Sequence, residues 1–320
     1  MGVLLLCFTP EEIGQGDVAR IAALAPDMRV VLARDEAAID ALLGEVEVAA
    51  GWFPPHLLAR APRLRWLQQW GAGADWLLRH PQAAEMDFVL TNASGVHAVP
   101  ISEQIIGMLL MFARGLHLAV RAQARREWWR PGRAGVFELA GKTMLLVGVG
   151  AIGERTAELA SALGMRVEGV RRDPSIAAAG VAAMFGPDQL AARLPHADVV
   201  VLTVPLSRET RGLIGAAQLR AMKSTAYLVN IGRGGTVDEA ALAEALHEGW
   251  IAGAALDVFA EEPLPPGSPL WELENCIITA HYAGNTPAYN ERAMAIFCDN
   301  LRRYRAGEPL RNVVDKRAGY

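Results

Sequence analysis

The stretch "MLLVGVGAIGERTAELASALGMRVEGV", residues 144–170, decides how the rest of the 320-residue chain is read. An apolar run leads into Gly148, Gly150 and Gly153 at the spacing G-x-G-x-x-G. An amphipathic pattern follows over 151–163, then Gly164 and a second apolar run. The spacing alone is a weak signal, but here it sits inside a strand–turn–helix–strand unit of the length a dinucleotide site needs. Gly148 permits the tight turn, Gly150 lets the backbone approach a pyrophosphate, and Gly153 lets the helix pack closely on its sheet. The helix start at Ala151 and Ile152 then offers N–H groups and a partial positive charge to phosphates.

The unit ends in "VEGVRRDP", 167–174. A site for NAD places an acid about 20 residues beyond the glycines, on the adenosine ribose. The strand-end position here is Arg171, followed by Arg172. Their planar, permanently charged forks suit the 2′-phosphate of NADP, which an acid would repel. NADP is therefore the expected cofactor, with NAD possible. Two other readings stay open: Asp173 supplies the acid after a two-residue slip, or both arginines are solvated strand-end charges. "GVFELAGKT", 135–143, resembles a nucleoside triphosphate loop, but five residues separate its glycines where four are required.

Outward from this unit the chain alternates. Strands are expected at 3–8, 29–33, 47–52, 65–70 and 88–93, with helical spacing between them. A second series follows at 143–148, 165–171, 198–204, 226–231, 252–257 and 276–280. The fold class is α/β with two doubly wound parallel-sheet domains. A single long helix is expected over about 100–126, with Pro100 in its first turn, and a last helix over 287–306. Between them lies "REWWRPGRAG", 126–135, a loop whose Trp128 and Trp129 suit a ligand or a neighbouring domain.

Composition limits the classes. The chain is 52% hydrophobic and 21% charged with a net charge of −4, which gives no footprint for nucleic acid or an anionic membrane. Its most apolar segment, 104–120, is short of a bilayer span and is interrupted by Arg114 and His117. "MGVLLLCFTPEE" lacks a basic leader, and the three cysteines (Cys7, Cys276 and Cys298) show no metal-ligand spacing. A cytoplasmic protein without a metal is expected, its cysteines small core residues.

Three polar residues fall where strands of the second series end. "YLVNIGRGGTVDEAAL", 227–242, puts Arg233 between glycines, in what reads as a bare loop open to a ligand. "GAALDVFAEEPLP", 253–265, carries Asp257 and then Glu262, and "NCIITAHYAG", 275–284, carries His281. Ligands of open α/β sheets bind outside the carboxyl ends of strands. An arginine holds a carboxylate and polarises a carbonyl, and a histidine paired with a carboxylate is an acid/base near neutral pH. With a nicotinamide these suffice to reduce a 2-oxo acid. The bland alternative makes His281 a structural histidine and Glu262 a loop acid.

Taken in order, "LVGVGAIG", "VPLSRETRGLIG", "LVNIGRGGTVDEAAL", "ALDVFAEEPLP" and "TAHYAG" resemble the D-2-hydroxyacid dehydrogenases over most of the chain. The resemblance implies that Arg233 binds the substrate carboxylate and carbonyl. It makes Glu262 the partner of His281, and His281 the proton donor. It further implies that Thr203, Pro205 and Asp257 lie around the nicotinamide, and that "QWGAGADW", 69–76, is a substrate loop whose N–H groups near Ala72 and Gly73 receive the carboxylate. It also implies a Rossmann nucleotide domain, 99–286, inserted into a flavodoxin-like catalytic domain formed by 1–98 and 287–320, with a cleft that closes over substrate. Ala280 departs from the proline common before the catalytic histidine. Glu262 argues against the formate dehydrogenase branch, and the arginine pair resembles NADPH-using glyoxylate and hydroxypyruvate reductases. The expected protein is a homodimer, joined through the long helix, that reduces a small 2-oxo acid. The alternatives are a nucleotide-sensing corepressor-like partner on the same fold, against which the lack of disordered tails weighs, and a dehydrogenase for bulkier substrates with Trp52 and Trp70 in its pocket.

Overall fold

The computed structural model describes residues 2–9 and 11–319, apart from the side chain of Ala134. Met1 and Tyr320, the ends of the expected catalytic domain, and Pro10 in the N-terminal stretch lie outside the described residues. Two compact units are present: one runs to Val96 and resumes at Thr286, and the other is His97–Asn285.

In the first unit, β1 (Val3–Cys7), β2 (Arg29–Ala33), β3 (Val46–Gly51), β4 (Trp66–Gln69) and β5 (Val89–Thr91) form a parallel sheet in the order 2-1-3-4-5. That is the flavodoxin-like order. Every residue of β1 is buried, as expected for a parallel strand covered on both faces. Helices α1 (Gln15–Leu24) and α2 (Glu36–Asp40) connect the early strands. The C-terminal helix, 289–306, returns to this unit and sets Phe297 against Trp66 at 5.5 Å between ring centres.

The second unit is a seven-stranded parallel sheet. In chain order its strands are β6 (Thr143–Val147), β7 (Arg166–Val170), β8 (Ala183–Phe185), β9 (Val199–Leu202), β10 (Tyr227–Asn230), β11 (Gly253–Leu256) and β12 (Cys276–Ile278). Their spatial order is 12-11-10-9-6-7-8, so the winding reverses between β6 and β9. A ligand crevice opens at such a switch point, outside the carboxyl ends of the strands. Helices α3 (Ala98–Ala113), α4 (Leu116–Ala124), α5 (Ala151–Ala162), α6 (Leu190–Arg193), α7 (Ala216–Ala221) and α8 (Glu239–His247) belong to this unit, and α9 (Tyr289–Ala306) is the returning C-terminal helix.

Two expectations need correction. The single helix expected over 100–126 is two helices, α3 and α4, bent by 73°. Gly115 between them takes φ 64°, a left-handed turn, and an added Cβ there would come within 3.0 Å of the Trp129 ring. Strand β8 had not been expected. It is a three-residue edge strand, partly exposed at every residue, and its short apolar segment shows no alternation that marks it as a strand. Among the described residues no single helix is long and apolar enough to cross a membrane. All three cysteines are buried, and burial pushes the Cys7 and Cys276 thiols up to about 12.

Candidate active site

The glycine turn follows β6 directly. Gly148 adopts φ 97°, and a Cβ there would lie 2.8 Å from Val204 Cγ1. At Gly153 it would lie 2.5 Å from the Gly148 carbonyl, which explains how α5 approaches the turn so closely. Gly150, the N-cap of α5, differs: an added Cβ would meet nothing within 4 Å. Room at Gly150, in front of the helix start at Ala151 and Ile152, fits a pyrophosphate. The hydroxyl of Thr203, just past β9, bonds the Gly148 carbonyl, so the two strand ends flanking the switch point are tied together. Pro205 is exposed beside it, and its carbonyl accepts the Thr210 hydroxyl at 2.6 Å.

At the end of β7 the two arginines are unequal. The Arg171 side chain is only 20% exposed and lies 3.9 Å from Glu154 on α5 and 3.4 Å from the Ile176 carbonyl. Arg172 is exposed. The Asp173 carboxylate accepts the Ser175 hydroxyl at 2.6 Å and the Ser175 N–H at 3.0 Å. These bonds, with Arg171 nearby, hold its pKa below the usual carboxylate range.

Beyond β10, Arg233 sits in the Gly232-Arg233-Gly234 turn. The flanking glycines do not make this loop bare, as their sequence had suggested, because both are buried. A Cβ at Gly232 would come within 2.5 Å of the Val204 carbonyl, and one at Gly234 would overlap the Phe259 carbonyl. The turn is pressed against neighbouring backbone, and Arg233 alone carries a side chain outward from it. Its guanidinium is braced on the Gly232 carbonyl at 2.8 Å, and its own carbonyl accepts the Thr236 hydroxyl at 2.7 Å.

Beyond β12, His281 Nδ1 meets Glu262 Oε2 at 2.6 Å, and the other Glu262 oxygen accepts the Phe259 N–H at 2.9 Å. A carboxylate only accepts, so Nδ1 carries the proton, and Nε2 of the half-exposed ring faces away from the pair. His281 has φ 51°, uncommon for a residue with a side chain. Asp257, at the end of β11 and 2% exposed, holds this loop. Its Oδ1 accepts the Thr279 hydroxyl at 2.6 Å and the Tyr282 N–H at 3.2 Å, its Oδ2 accepts the Ala283 N–H at 3.1 Å, and its carbonyl accepts the His281 N–H at 2.8 Å. Because β10, β11 and β12 are adjacent, Arg233, Asp257 and the Glu262–His281 pair share one edge of the sheet.

In the first unit the loop after β4 is fixed through its carbonyls. Gln69 Nε2 donates to Gly71 O at 3.0 Å and to Gly73 O at 2.5 Å, and Asn92 Nδ2 donates to Ala72 O at 2.7 Å. Trp70 is fully buried, edge-on to Phe8 at 4.6 Å with its N–H on Asn290 at 3.1 Å, so it is a core residue and not a pocket wall. Trp52 is half-exposed, and its N–H bonds Glu12 at 2.5 Å.

A dinucleotide sheet whose strand ends carry a histidine–carboxylate pair beside an arginine turn defines a nicotinamide-dependent oxidoreductase. Residues 106–283 match the model of the D-isomer specific 2-hydroxyacid dehydrogenase NAD-binding domain. The chain is 36% identical over 262 residues to a glyoxylate reductase of Korarchaeum cryptofilum, covering 80% of this chain and 77% of that one. Among solved structures it resembles a D-isomer specific 2-hydroxyacid dehydrogenase of Xanthobacter autotrophicus in complex with NADPH and MES. That likeness has a TM-score of 0.85 and 34% identity, over 100% of this chain and 99% of that one. It also resembles an NADPH-dependent glyoxylate/hydroxypyruvate reductase of Sinorhizobium meliloti in complex with NADP and sulfate, with a TM-score of 0.84 and 30% identity over 100% of both chains. The chain belongs to the D-isomer specific 2-hydroxyacid dehydrogenase family and is an NAD(P)-dependent oxidoreductase of 2-hydroxy acids.

Proposed function

We propose that this protein is an NADPH-preferring reductase of a small 2-oxo acid, such as glyoxylate or hydroxypyruvate, acting as a homodimer. The observation that carries the chemistry is the 2.6 Å pair of Glu262 and His281. Glu262 fixes the ring through Nδ1, so the proton passed to the substrate carbonyl oxygen leaves from Nε2 of the charged ring. The neutral imidazole that remains is already in the tautomer Glu262 accepts from. The nicotinamide supplies the hydride. Arg233, braced on Gly232, holds the substrate carboxylate and polarises the carbonyl. The N–H groups of Ala72 and Gly73 are assigned to substrate binding, because the carbonyls of that loop are taken by Gln69 and Asn92.

For the cofactor, Gly148, Gly150, Ala151, Ile152 and Gly153 are assigned to the pyrophosphate turn. Thr203, Pro205 and Asp257 are assigned to the nicotinamide end, Asp257 by fixing the His281 loop. Arg171 and Arg172 are assigned to the 2′-phosphate. The NADPH complex of one structural relative and the NADP complex of another support that preference, as does the engagement of Asp173 by Ser175. The dimer reading is supported by Leu116 and Val120 on α4, 47% and 61% exposed, and by Trp128, 93% exposed.

Initial rates of glyoxylate and hydroxypyruvate reduction, with NADPH and NADH side by side, test the reading. Higher kcat/KM with NADPH supports it, and a preference for NADH removes the arginines from cofactor choice. His281→Ala should lower turnover about 10²–10⁴-fold while NADPH still binds. Unchanged turnover would remove His281 from the reaction.

A further inference from the structure

We infer that His97 is a positioning residue that clamps the far end of the loop carrying His281. This rests on the proposed role of His281 as proton donor. The loop leaves β12 and must hold His281 at φ 51°, a conformation that side chains rarely adopt and that surrounding contacts have to enforce. Asp257 grips the loop from the β11 side at Thr279, His281, Tyr282 and Ala283. None of those bonds reaches Gly284, where the chain turns away.

His97 supplies that anchor from the opposite direction. It is the N-cap of α3, and its Nδ1 lies 3.2 Å from the Gly284 carbonyl, 187 residues away in sequence. The carbonyl can only accept, so Nδ1 carries the proton. The ring lies so close that a Cβ on Gly284 would come within 2.7 Å of Nδ1, which accounts for glycine at that position. Burial lowers the His97 pKa against the opposing pull of the Gly284 bond, and the charges of Arg233 and His281 lower it further. At neutral pH the clamp is therefore an uncharged donor. His281 is held between a carboxylate on one strand end and an imidazole on one helix start. Either anchor alone leaves one end of the loop free to shift.

The test compares His97→Leu, His97→Asn and His281→Ala in the full-length protein. The readouts are kcat and KM for hydroxypyruvate, NADPH affinity, the thermal midpoint, and amide hydrogen exchange over residues 281–284. A misplacement on the order of 1 Å costs about 100-fold in rate, so His97→Leu should lower kcat by ~10- to 100-fold. KM and NADPH affinity should change less than about threefold, with faster exchange at 281–284. His97→Asn keeps an N–H within reach of the same carbonyl and should recover most of the rate and the protection. Unchanged kcat and exchange in His97→Leu, with His281→Ala inactive, would overturn the clamp and leave the proton-donor reading standing. Equal losses in Leu and Asn variants, shared with NADPH affinity and the thermal midpoint, would also overturn it in favour of a general packing role. Should His281→Ala stay active, the proton-donor reading fails, and hydrogen exchange alone then decides whether His97 holds the loop.

Discussion

The turn after β6 and the loop after β10 lie two strands apart in one sheet, and both are rich in glycine. At Gly150 an added methyl would meet open space, in front of a helix start. At Gly232 and Gly234 it would meet the carbonyls of Val204 and Phe259. Glycine marks room for a ligand in the first case and contact between backbones in the second. The first turn leaves open space where the pyrophosphate is proposed to bind. The second is shaped by the fold, so that one guanidinium is projected from a rigid base. Sequence spacing alone cannot separate these two uses.

The same substitution in the two loops should therefore give opposite results. Gly234→Ala has the larger expected effect, because the methyl displaces either the turn or the Phe259 backbone. Overpacking of this kind costs about 1–3 kcal/mol, and displacing Arg233 by on the order of 1 Å adds about 100-fold in kcat/KM. Thermal unfolding and steady-state rates would both register it. Gly150→Ala should leave the thermal midpoint within about a degree or slightly raised, since its φ of −102° suits alanine. The methyl should instead cost NADPH affinity roughly tenfold, as about 1–3 kcal/mol of crowding against the bound pyrophosphate. If Gly150→Ala unfolds the protein as readily as Gly234→Ala, the distinction between the two loops is wrong.

Much of this was legible before the structure, for reasons that also explain what was missed. Parallel strands covered on both faces are apolar throughout, so "VLLLC" and "VVVL" announce β1 and β9. Strand β8 is only three residues long and partly exposed at each, so its apolar segment shows no alternation to set it apart from a loop. The break between α3 and α4 falls inside a continuous apolar stretch. It depends on a left-handed Gly115 facing Trp129, a contact that the helical periodicity does not encode. Strand-end polar residues were legible as a group because the sheet topology gathers them, yet the part of Asp257 in holding the His281 loop was not. Asp257 binds three loop donors with its carboxylate, and His97 bonds a carbonyl that no local motif connects to it. Trp70 shows the opposite error, since an aromatic side chain in a promising loop can belong entirely to the core.

The arginine end of β7 extends the comparison to cofactor choice. Arg171→Ala combined with Arg172→Ala should weaken NADPH binding by about 10- to 100-fold, the value of one or two charge-assisted hydrogen bonds. NADH binding should change by less than about threefold. Equal losses for both nucleotides would mean that neither arginine meets the 2′-phosphate, measured as KM for each cofactor at saturating 2-oxo acid.

Ser175→Ala should have the smallest effect and probes the acid next to that pair. The Ser175 hydroxyl and N–H occupy the Asp173 carboxylate and hold its pKa down. Removing the hydroxyl lets that pKa rise toward the ordinary value, but the group stays ionised at neutral pH, so its charge is unchanged. What changes is its freedom. A carboxylate released from one of its two bonds can turn toward the adenosine ribose, where it accepts a 2′-hydroxyl and repels a 2′-phosphate. The ratio of kcat/KM for NADPH over NADH should therefore fall by roughly two- to tenfold. A ratio that stays fixed here but collapses in the double arginine variant would place Asp173 out of reach of the ribose. The 2′-position would then be read by positive charge alone, with the neighbouring acid serving only to close its own turn.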